Sequence, residues 1–218
     1  MKTGMLVAVA ALSTGVLFGG LGCQQAYDPG PGWTVAYSME AGGPKLSDWT
    51  TSSGKLQTVN GGLVVKASDG ETLLTLKDRK FRGSVIVECV ASVTGEKVSD
   101  ISPMLNMDDS DWKGGYLLQF GGRANTLCRL MKEGEEVSST VKKQPLLVPG
   151  KTYHVVAVND GGKICLLVDG IEVFQYRDTQ PLNGAGHDRI GFYTYHTTLK
   201  LDKVTVYVKK AGAAGKKT

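Results

Sequence analysis

Short runs of alternating apolar and polar residues follow one another from Trp33 to Lys209. The longest run, Phe81 to Val93, places Val85, Val87 and Cys89 on one face of a strand and the residues between them on the other. Beyond the first 22 residues no segment repeats its apolar positions at the helical period. Roughly 12 to 14 short strands separated by turn signals predict an all-β sandwich of two antiparallel sheets.

Turn residues stand between these runs. Asn60-Gly61 separates two β-prone segments and is the strongest short signal for a hairpin. Glu133-Gly134, Asp160-Gly161-Gly162 and Asp169-Gly170 carry residues that tolerate a positive φ, which tight turns require. The sequence therefore predicts that most neighbouring strands are joined by short hairpins within one domain.

The N-terminus differs from the rest in composition. Residues 1–22 combine one basic residue, an apolar stretch and small residues, as a signal peptide does, and the stretch "GGLG" then leads to Cys23. This motif resembles a relaxed bacterial lipobox, which predicts lipidation of Cys23; plain secretion and a retained anchor are the alternatives. Because Gln24 follows the cysteine, we expect a lipid-anchored protein of the cell envelope, at the outer membrane or facing the periplasm.

The predicted organisation has four parts. A signal peptide over 1–22 precedes a lipidated N-terminus and flexible tether over 23–32. A single β-sandwich domain follows over 33–209, and a disordered basic tail covers 210–218.

The formal net charge of +4 is located mainly at the two ends of the chain. Lys2 lies in the leader, and Lys209, Lys210, Lys216 and Lys217 lie at the C-terminal end, so the other 20 basic residues nearly balance 21 acidic ones. A neutral body argues against nucleic-acid binding, which needs a basic stripe on the fold. Cys89, Cys128 and Cys165 are not spaced for a metal, and burial as small apolar side chains is the favoured interpretation.

Several segments, in this order, resemble the concanavalin A-like lectin and glucanase superfamily. They are "VNGGLVV" at 59–65, "KGGYLLQFGG" at 113–122, "GKTYHVVAV" with "GKICLLVDGIEV", and the closing "GFYTYHTTLKLDKVTVY". The sequence is similar to the laminin G-like and 3-keto-disaccharide hydrolase-like domains of bacterial lipoproteins. This resemblance implies a jelly-roll sandwich, a fold that hosts lectins, hydrolases, lyases and adhesive modules.

Two departures weaken the enzymatic side of that resemblance. The paired-carboxylate strand Glu-x-Asp-x-x-Glu of the glucanases is absent. The segment "SDISPMLNMDDSD" stands where the hydrolase-like domains often carry Asn-Ser-Gly. The sequence therefore favours binding, and hydrolysis or lysis of a modified disaccharide is the alternative, beside a non-catalytic envelope scaffold.

A sugar site needs flat rings and fixed hydrogen-bonding groups. Residues of these types on predicted strands and turns are candidate ligand contacts: Trp112, Tyr116, Gln119, Arg123, Arg129, Tyr193 and Tyr195. With Phe192 assigned to the core, Tyr193 and Tyr195 fall on one exposed face, where two rings would form a stacking platform. The alternative is that these tyrosines only cover the sandwich.

Two further groups carry possible chemistry. Asp108, Asp109 and Asp111 lie in one acidic turn and offer oxygen ligands for Ca²⁺, although a solvated turn is the favoured interpretation. His196 is a candidate general base for sugar chemistry, because the pKa of histidine is near neutral. A lone histidine on a strand also fits an ordinary surface position.

Overall fold

The computed structural model describes residues 27–39, 43–67, 70–141 and 146–209. The predicted signal peptide, Cys23 and the predicted basic tail lie outside these residues. No helix in the described ranges is long and apolar enough to cross a membrane.

Fifteen strands make up almost all of the regular structure in these ranges. In chain order they are β1 (Trp33–Met39), β2 (Trp49–Thr51), β3 (Lys55–Val59), β4 (Gly62–Lys66), β5 (Glu71–Leu76), β6 (Val85–Thr94), β7 (Ser102–Met107), β8 (Tyr116–Gly121), β9 (Leu127–Lys132), β10 (Glu135–Val141), β11 (Thr152–Asp160), β12 (Lys163–Val168), β13 (Ile171–Arg177), β14 (Arg189–Tyr195) and β15 (Thr198–Lys209). The other elements are a single 3₁₀ turn at Leu46–Asp48 and a four-residue turn at Gly122–Asn125.

The strands form two antiparallel sheets, which confirms the predicted all-β sandwich. Sheet A has the order β13-β12-β11-β6-β15-β4-β3, and β1 also pairs with β15. Sheet B has the order β10-β9-β8-β7-β14-β5-β2. The strand β15 pairs with β4 near its start and with β1 near its end, so β1 and β4 share one edge of it.

The core lies between the sheets and is built from the alternate residues of each strand. On β6 the residues Val85, Val87 and Cys89 face inward, as the alternation predicted. Trp49 is buried at the centre of the core, where its indole nitrogen donates to the hydroxyl group of Tyr37 at 3.2 Å. Its ring also packs against Phe192, which the sequence had assigned to the core.

The Asn60-Gly61 hairpin forms between β3 and β4 as predicted. Both residues have a positive φ, 48° and 75°, the combination that a two-residue type I′ turn requires. The Glu133-Gly134 turn between β9 and β10 has the same pattern. These turns fix the register of their strands and hence the face on which each side chain lies.

The outer face of sheet A is covered in part by the N-terminal segment. Tyr27 is half-buried there, and its backbone N–H donates to Oε1 of Glu88 at 3.2 Å. Glu88 is only 1% exposed and also accepts a hydrogen bond from the hydroxyl group of Tyr207 at 2.8 Å. Tyr27, within the segment predicted to be a tether, thus contacts the sandwich.

Candidate functional site

A cavity of about 280 Å³ opens on the outer face of sheet B, and we call it the basic pocket. Six residues singled out from the sequence line it: Gln119, Arg123, Arg129, Tyr193, Tyr195 and His196. The structure adds Lys97, Val98, Ser99, Asp100 and Ala124 to its lining. Residues separated by up to 99 positions therefore meet in one concave site.

Four segments of the chain supply these side chains. Gln119 lies on β8 and Arg129 on the neighbouring β9, directly opposite each other in the ladder. Arg123 projects from the turn that joins these two strands. The loop 95–101 contributes Lys97 and Asp100, and the end of β14 contributes Tyr195.

The loop 95–101 is held against the turn that follows β14 by three hydrogen bonds. The backbone N–H of Ser99 donates to Oγ1 of Thr197 at 2.9 Å, and the Ser99 hydroxyl donates to the Tyr195 carbonyl at 2.8 Å. The Thr197 hydroxyl in turn donates to the carbonyl of Lys97 at 3.1 Å. These bonds keep two walls of the basic pocket in a fixed relation.

A chain of polar contacts crosses the floor of the pocket. The side-chain amide nitrogen of Gln119 donates to Oδ1 of Asp100, and the amide oxygen accepts from Nε of Arg129. The guanidinium group of Arg129 also lies 3.3 Å from the carboxylate of Glu136 at the outer end. Because both ends of its amide are engaged, Gln119 is held in one orientation.

Asp100 is the buried carboxyl group of the site, with 3% of its surface exposed. Burial raises its pKa to about 6, although hydrogen bonds from Gln119, Ser99 and Ser102 act in the opposite direction. Its protonation therefore changes near neutral pH, and the group can accept or donate a hydrogen bond according to pH. Carboxyl groups with displaced pKa values are more common in functional clefts than elsewhere.

The backbone around the basic pocket is unusual. Asp100, Arg123, Ala124 and His196 have φ values of 58°, 45°, 54° and 50°. They are four of the ten non-glycine residues with positive φ in the described ranges. Asp and His tolerate this region better than Arg and Ala do, so the 122–125 turn stores most of the strain. Such strain is concentrated at binding and catalytic sites in other proteins.

Glycines shape the floor beneath Gln119. A Cβ on Gly122 would lie 2.4 Å from the amide oxygen of Gln119, so the absence of a side chain leaves room for that amide. Gly121 has a φ of 87°, and a Cβ there would lie 2.3 Å from Leu147. Gly121 is therefore favoured by its positive φ, and Gly122 leaves the space that the Gln119 amide occupies.

The aromatic platform differs from the predicted one. Tyr195 is 42% exposed, and its ring stands edge-on to His196 with the centroids 4.2 Å apart. Tyr193 lies on the same face but is only 7% exposed, because Trp112, Met104 and Met131 pack with it. The prediction of two exposed rings is therefore wrong: Tyr195 presents an exposed ring, whereas Tyr193 is buried in the wall of the basic pocket.

Tyr116 is wrongly placed in the predicted binding set. It is fully buried between the sheets, where its hydroxyl donates to Asp178 and accepts from the backbone N–H of Leu182. Asp178 is also paired with Lys132 at 2.9 Å. Tyr116 belongs to the face of β8 opposite Gln119, so the two residues cannot meet one ligand.

Trp112 lies in a second cavity of about 240 Å³ beside the basic pocket, and we call it the Trp112 pocket. Its indole N–H donates to Oε2 of Glu71 at 2.9 Å, and the hydroxyl group of Tyr193 donates to Oε1 at 3.4 Å. Tyr193 lines both cavities and forms the wall between them. The two pockets therefore adjoin along the outer face of sheet B.

The acidic turn does not gather its carboxylates around one point. Asp108 accepts hydrogen bonds from the backbone N–H and the hydroxyl group of Ser110, and Asp111 accepts from the backbone N–H of Lys113. Asp109 is paired instead with Arg189. Within the described ranges, no group of three or more His, Cys, Asp or Glu is arranged to hold a metal ion.

Sequence reasoning missed Lys97 and Asp100. Both precede β7 in a loop without a recognisable motif, and nothing in the alternation indicates that Asp100 turns inward. The only signal was the stretch "SDIS", where the chain departs from the pattern of the resembling domains.

Solved structures with a similar fold are lectin-like β-sandwiches. The carbohydrate-binding module CBM66 from Bacillus subtilis matches with a TM-score of 0.58 and 19% identity, over 73% of this chain and 94% of its own. The carbohydrate recognition domain of Emp47p matches with a TM-score of 0.61 and 15% identity, over 84% of this chain and 100% of its own. A protein with a galectin-like fold from Bacillus subtilis matches with a TM-score of 0.60 and 15% identity, over 81% of this chain and 97% of its own.

No protein-family model matches the sequence, and no curated protein is significantly similar to it. At identities this low, the structural likeness establishes the fold alone. The chain has the lectin-like β-sandwich fold that its sequence resembles.

Proposed function

We propose that this protein is a lipid-anchored protein of the cell envelope whose β-sandwich binds carbohydrate in the basic pocket. The observation that carries the proposal is the meeting of the open Tyr195 ring with the fixed polar groups of Gln119 and Arg129 in one cavity. A ring face binds the C–H surface of a sugar, and fixed donors and acceptors bind its hydroxyl groups.

The similar structures support the same class of ligand. CBM66 is a carbohydrate-binding module, and the matched part of Emp47p is a carbohydrate recognition domain. The fold alone does not transfer their ligands, so the argument depends on the side chains of this pocket.

Binding is favoured over hydrolysis by the number of carboxyl groups. Glycoside hydrolysis generally uses two carboxyl groups on either side of the scissile bond. Among the described residues Asp100 is the one carboxyl group that lines the basic pocket, and Glu71 lies beyond Tyr193 with both oxygens hydrogen-bonded. His196 lines the rim without a carboxylate partner in the described ranges.

The test is binding of the purified full-length protein to a glycan panel, with Tyr195→Ala and Gln119→Ala as pocket variants. We expect binding that falls about tenfold in each variant, because each removes one of the contacts that define the site. The matched control is Tyr176→Phe, a tyrosine of sheet A far from this face. Equal binding by the pocket variants and the control would reject the basic pocket as the site.

Chromatography of the same mixtures separates binding from catalysis. New products that disappear with His196→Ala or Asp100→Asn would replace the binding proposal by the hydrolase or lyase alternative. Parallel measurements with EDTA test for a Ca²⁺ requirement. Absence of binding to every glycan would leave the envelope scaffold as the remaining function.

The lipid anchor is tested separately through Cys23. The wild-type protein should partition into detergent and carry the added mass of acyl groups, whereas Cys23→Ser should remain in the aqueous phase. Equal partitioning of both forms would reject anchoring at this cysteine.

A further inference from the structure

The charge of the basic pocket is predominantly positive, since three cations and one carboxyl group line it. Lys97, Arg123 and Arg129 reach it from the loop 95–101, the turn 122–125 and β9. Three cations brought together from separate segments repel one another unless an anion joins them. A cleft lined by one sign of charge also raises the local concentration of ligands of the opposite sign.

Two of these cations make no close ion pair in the described ranges. Lys97 and Arg123 are exposed at the rim, and neither makes an ion pair or a side-chain hydrogen bond with a described residue. Arg129 is engaged directly by Gln119 and Glu136, whereas Arg123 attracts the carboxylate of Glu136 only at longer range. The rim therefore offers an ammonium and a guanidinium group to a ligand.

The carboxyl groups that face this region are already occupied. Asp100 lies at the floor and accepts hydrogen bonds from the side chains of Gln119 and Ser102. Glu136 is held by Arg129, and Glu71 on the far side of Tyr193 is held by Trp112. None of them forms an ion pair with Lys97 or Arg123 in the described ranges, so the positive charge at the rim remains available.

We propose that the basic pocket takes an anionic sugar unit, with its carboxylate or sulfate group at Lys97 and Arg123 and its ring at Tyr195. This inference rests on the proposed carbohydrate-binding function and specifies the chemistry of the ligand. A planar guanidinium group matches a carboxylate with two parallel hydrogen bonds, which a neutral hydroxymethyl group cannot accept equally well.

The neighbouring cavity extends the same argument to a second sugar unit. The Trp112 pocket adjoins the basic pocket across Tyr193 and is lined by Ser52, Ser53 and Glu71, without an unpaired cation. Its combination of serine hydroxyl groups, carboxylates and aromatic rings suits a neutral, hydroxyl-rich unit. The ligand is therefore an acidic oligosaccharide of at least two units.

The experiment measures affinities of the purified full-length protein for uronic acid oligosaccharides, each paired with its own methyl ester. The ester keeps the sugar backbone and removes the charge. Sulfated neutral oligosaccharides form a third group, which distinguishes a carboxylate from a sulfate ligand. We expect the charged member of a pair to bind at least about tenfold more tightly, with a preference that weakens as salt is added.

The variant Lys97→Gln with Arg123→Gln should remove that preference, so that its affinity for each uronic acid oligosaccharide falls to the affinity for the matching methyl ester. Both side chains are exposed, so the fold is retained, which thermal unfolding verifies. Arg177→Gln, an exposed cation of sheet A, is the matched control and should behave as wild type. A preference for charged sugars that survives the double substitution would overturn the inference.

The result also separates the two proposals. Binding of neutral glycans through Tyr195 and Gln119 without preference for charged ones would overturn the anionic ligand and keep the carbohydrate-binding function. No binding to any charged or neutral glycan would overturn both. A preference for the charged ligand that is seen with disaccharides and longer chains, but not with monosaccharides, would support a second sugar unit in the Trp112 pocket.

Discussion

The side-chain amide of Gln119 donates a hydrogen bond to the buried carboxyl group of Asp100 on the floor of the basic pocket. Gln119 comes from a strand of sheet B, and Asp100 comes from the loop that leads into the adjacent strand β7. Through this bond the orientation of a candidate ligand contact depends on a group that titrates near neutral pH. The protonation state of Asp100 therefore affects both the stability of the fold and the position of Gln119 in the basic pocket.

Asp100→Asn should change the pH dependence of stability. In the folded protein burial raises the pKa of Asp100 to about 6, above the value of about 3.9 expected in the unfolded chain. The folded state therefore binds the extra proton, and the stability contributed by the protonated group is complete below about pH 4 and lost as pH rises through about 6. Asparagine stays neutral and tolerates the positive φ at this position.

Relative to wild type, the variant should gain on the order of 3 kcal/mol in the free energy of unfolding between pH 4 and pH 8. Urea denaturation at both pH values measures this difference. If the free energies of unfolding of the variant and the wild type differ by the same amount at pH 4 and pH 8, Asp100 does not titrate as proposed.

Gly122→Ala should weaken glycan binding while the fold persists. The added Cβ would lie 2.4 Å from the amide oxygen of Gln119, and a side-chain tip moves more easily than backbone. We expect about tenfold weaker binding and a loss of about 1 kcal/mol in the free energy of unfolding. Isothermal titration and chemical denaturation measure the two effects.

Gly184→Ala is the matched control, since a Cβ there meets nothing within 4 Å and the backbone has no positive φ. It should bind as wild type does. If Gly122→Ala binds equally well, the fixed orientation of Gln119 is irrelevant to the ligand.

Tyr116→Phe should affect stability alone. The substitution removes the hydroxyl group that donates to Asp178 and accepts from Leu182 in the core, and we expect a loss of about 1–3 kcal/mol. Because Tyr116 lies on the core face of β8, glycan affinity should stay within twofold of wild type. Reduced glycan affinity in a stably folded Tyr116→Phe variant would show that Tyr116 contributes to binding.

Tyr207→Phe should destabilise the outer face of sheet A in a pH-dependent way. Burial acts to raise the pKa of Glu88, but hydrogen bonds from Tyr207, the Tyr27 backbone and His154 outweigh it and hold the pKa below its ordinary value. The stability due to ionised Glu88 is therefore present above the unfolded pKa of about 4.3 and lost as pH falls through the lower folded pKa.

Removal of the Tyr207 hydroxyl should cost about 1.5–3 kcal/mol at pH 7 and less at pH 3, because hydrogen bonds to charged groups are the stronger ones. Tyr176→Phe is the control, since its hydroxyl makes no side-chain hydrogen bond in the described ranges. An equal loss at both pH values would mean that Glu88 is not ionised in the folded protein.

The alternation along the strands determined the fold class and the turns from sequence alone. Period-two patterning separated Tyr116 from Gln119 on β8 and assigned Phe192 to the core, and Asn60-Gly61 indicated its hairpin. These features are local, because a strand alternates its side chains whatever it packs against. The residue types also indicated sugar chemistry before any positions in space were known.

Which face of each strand meets the other sheet was decided only by the tertiary structure. Patterning kept Tyr116 and Gln119 apart, yet both were assigned to the same ligand, because the alternation does not reveal which side is covered. The burial of Tyr193 depends on Trp112 and Met131, which come from other elements. The loop that carries Lys97 and Asp100 is held by hydrogen bonds of Ser99 and Lys97 with Thr197, almost 100 residues away. Sequence fixes which side chains share a face of one strand, whereas burial and convergence arise from contacts between strands that are distant along the chain.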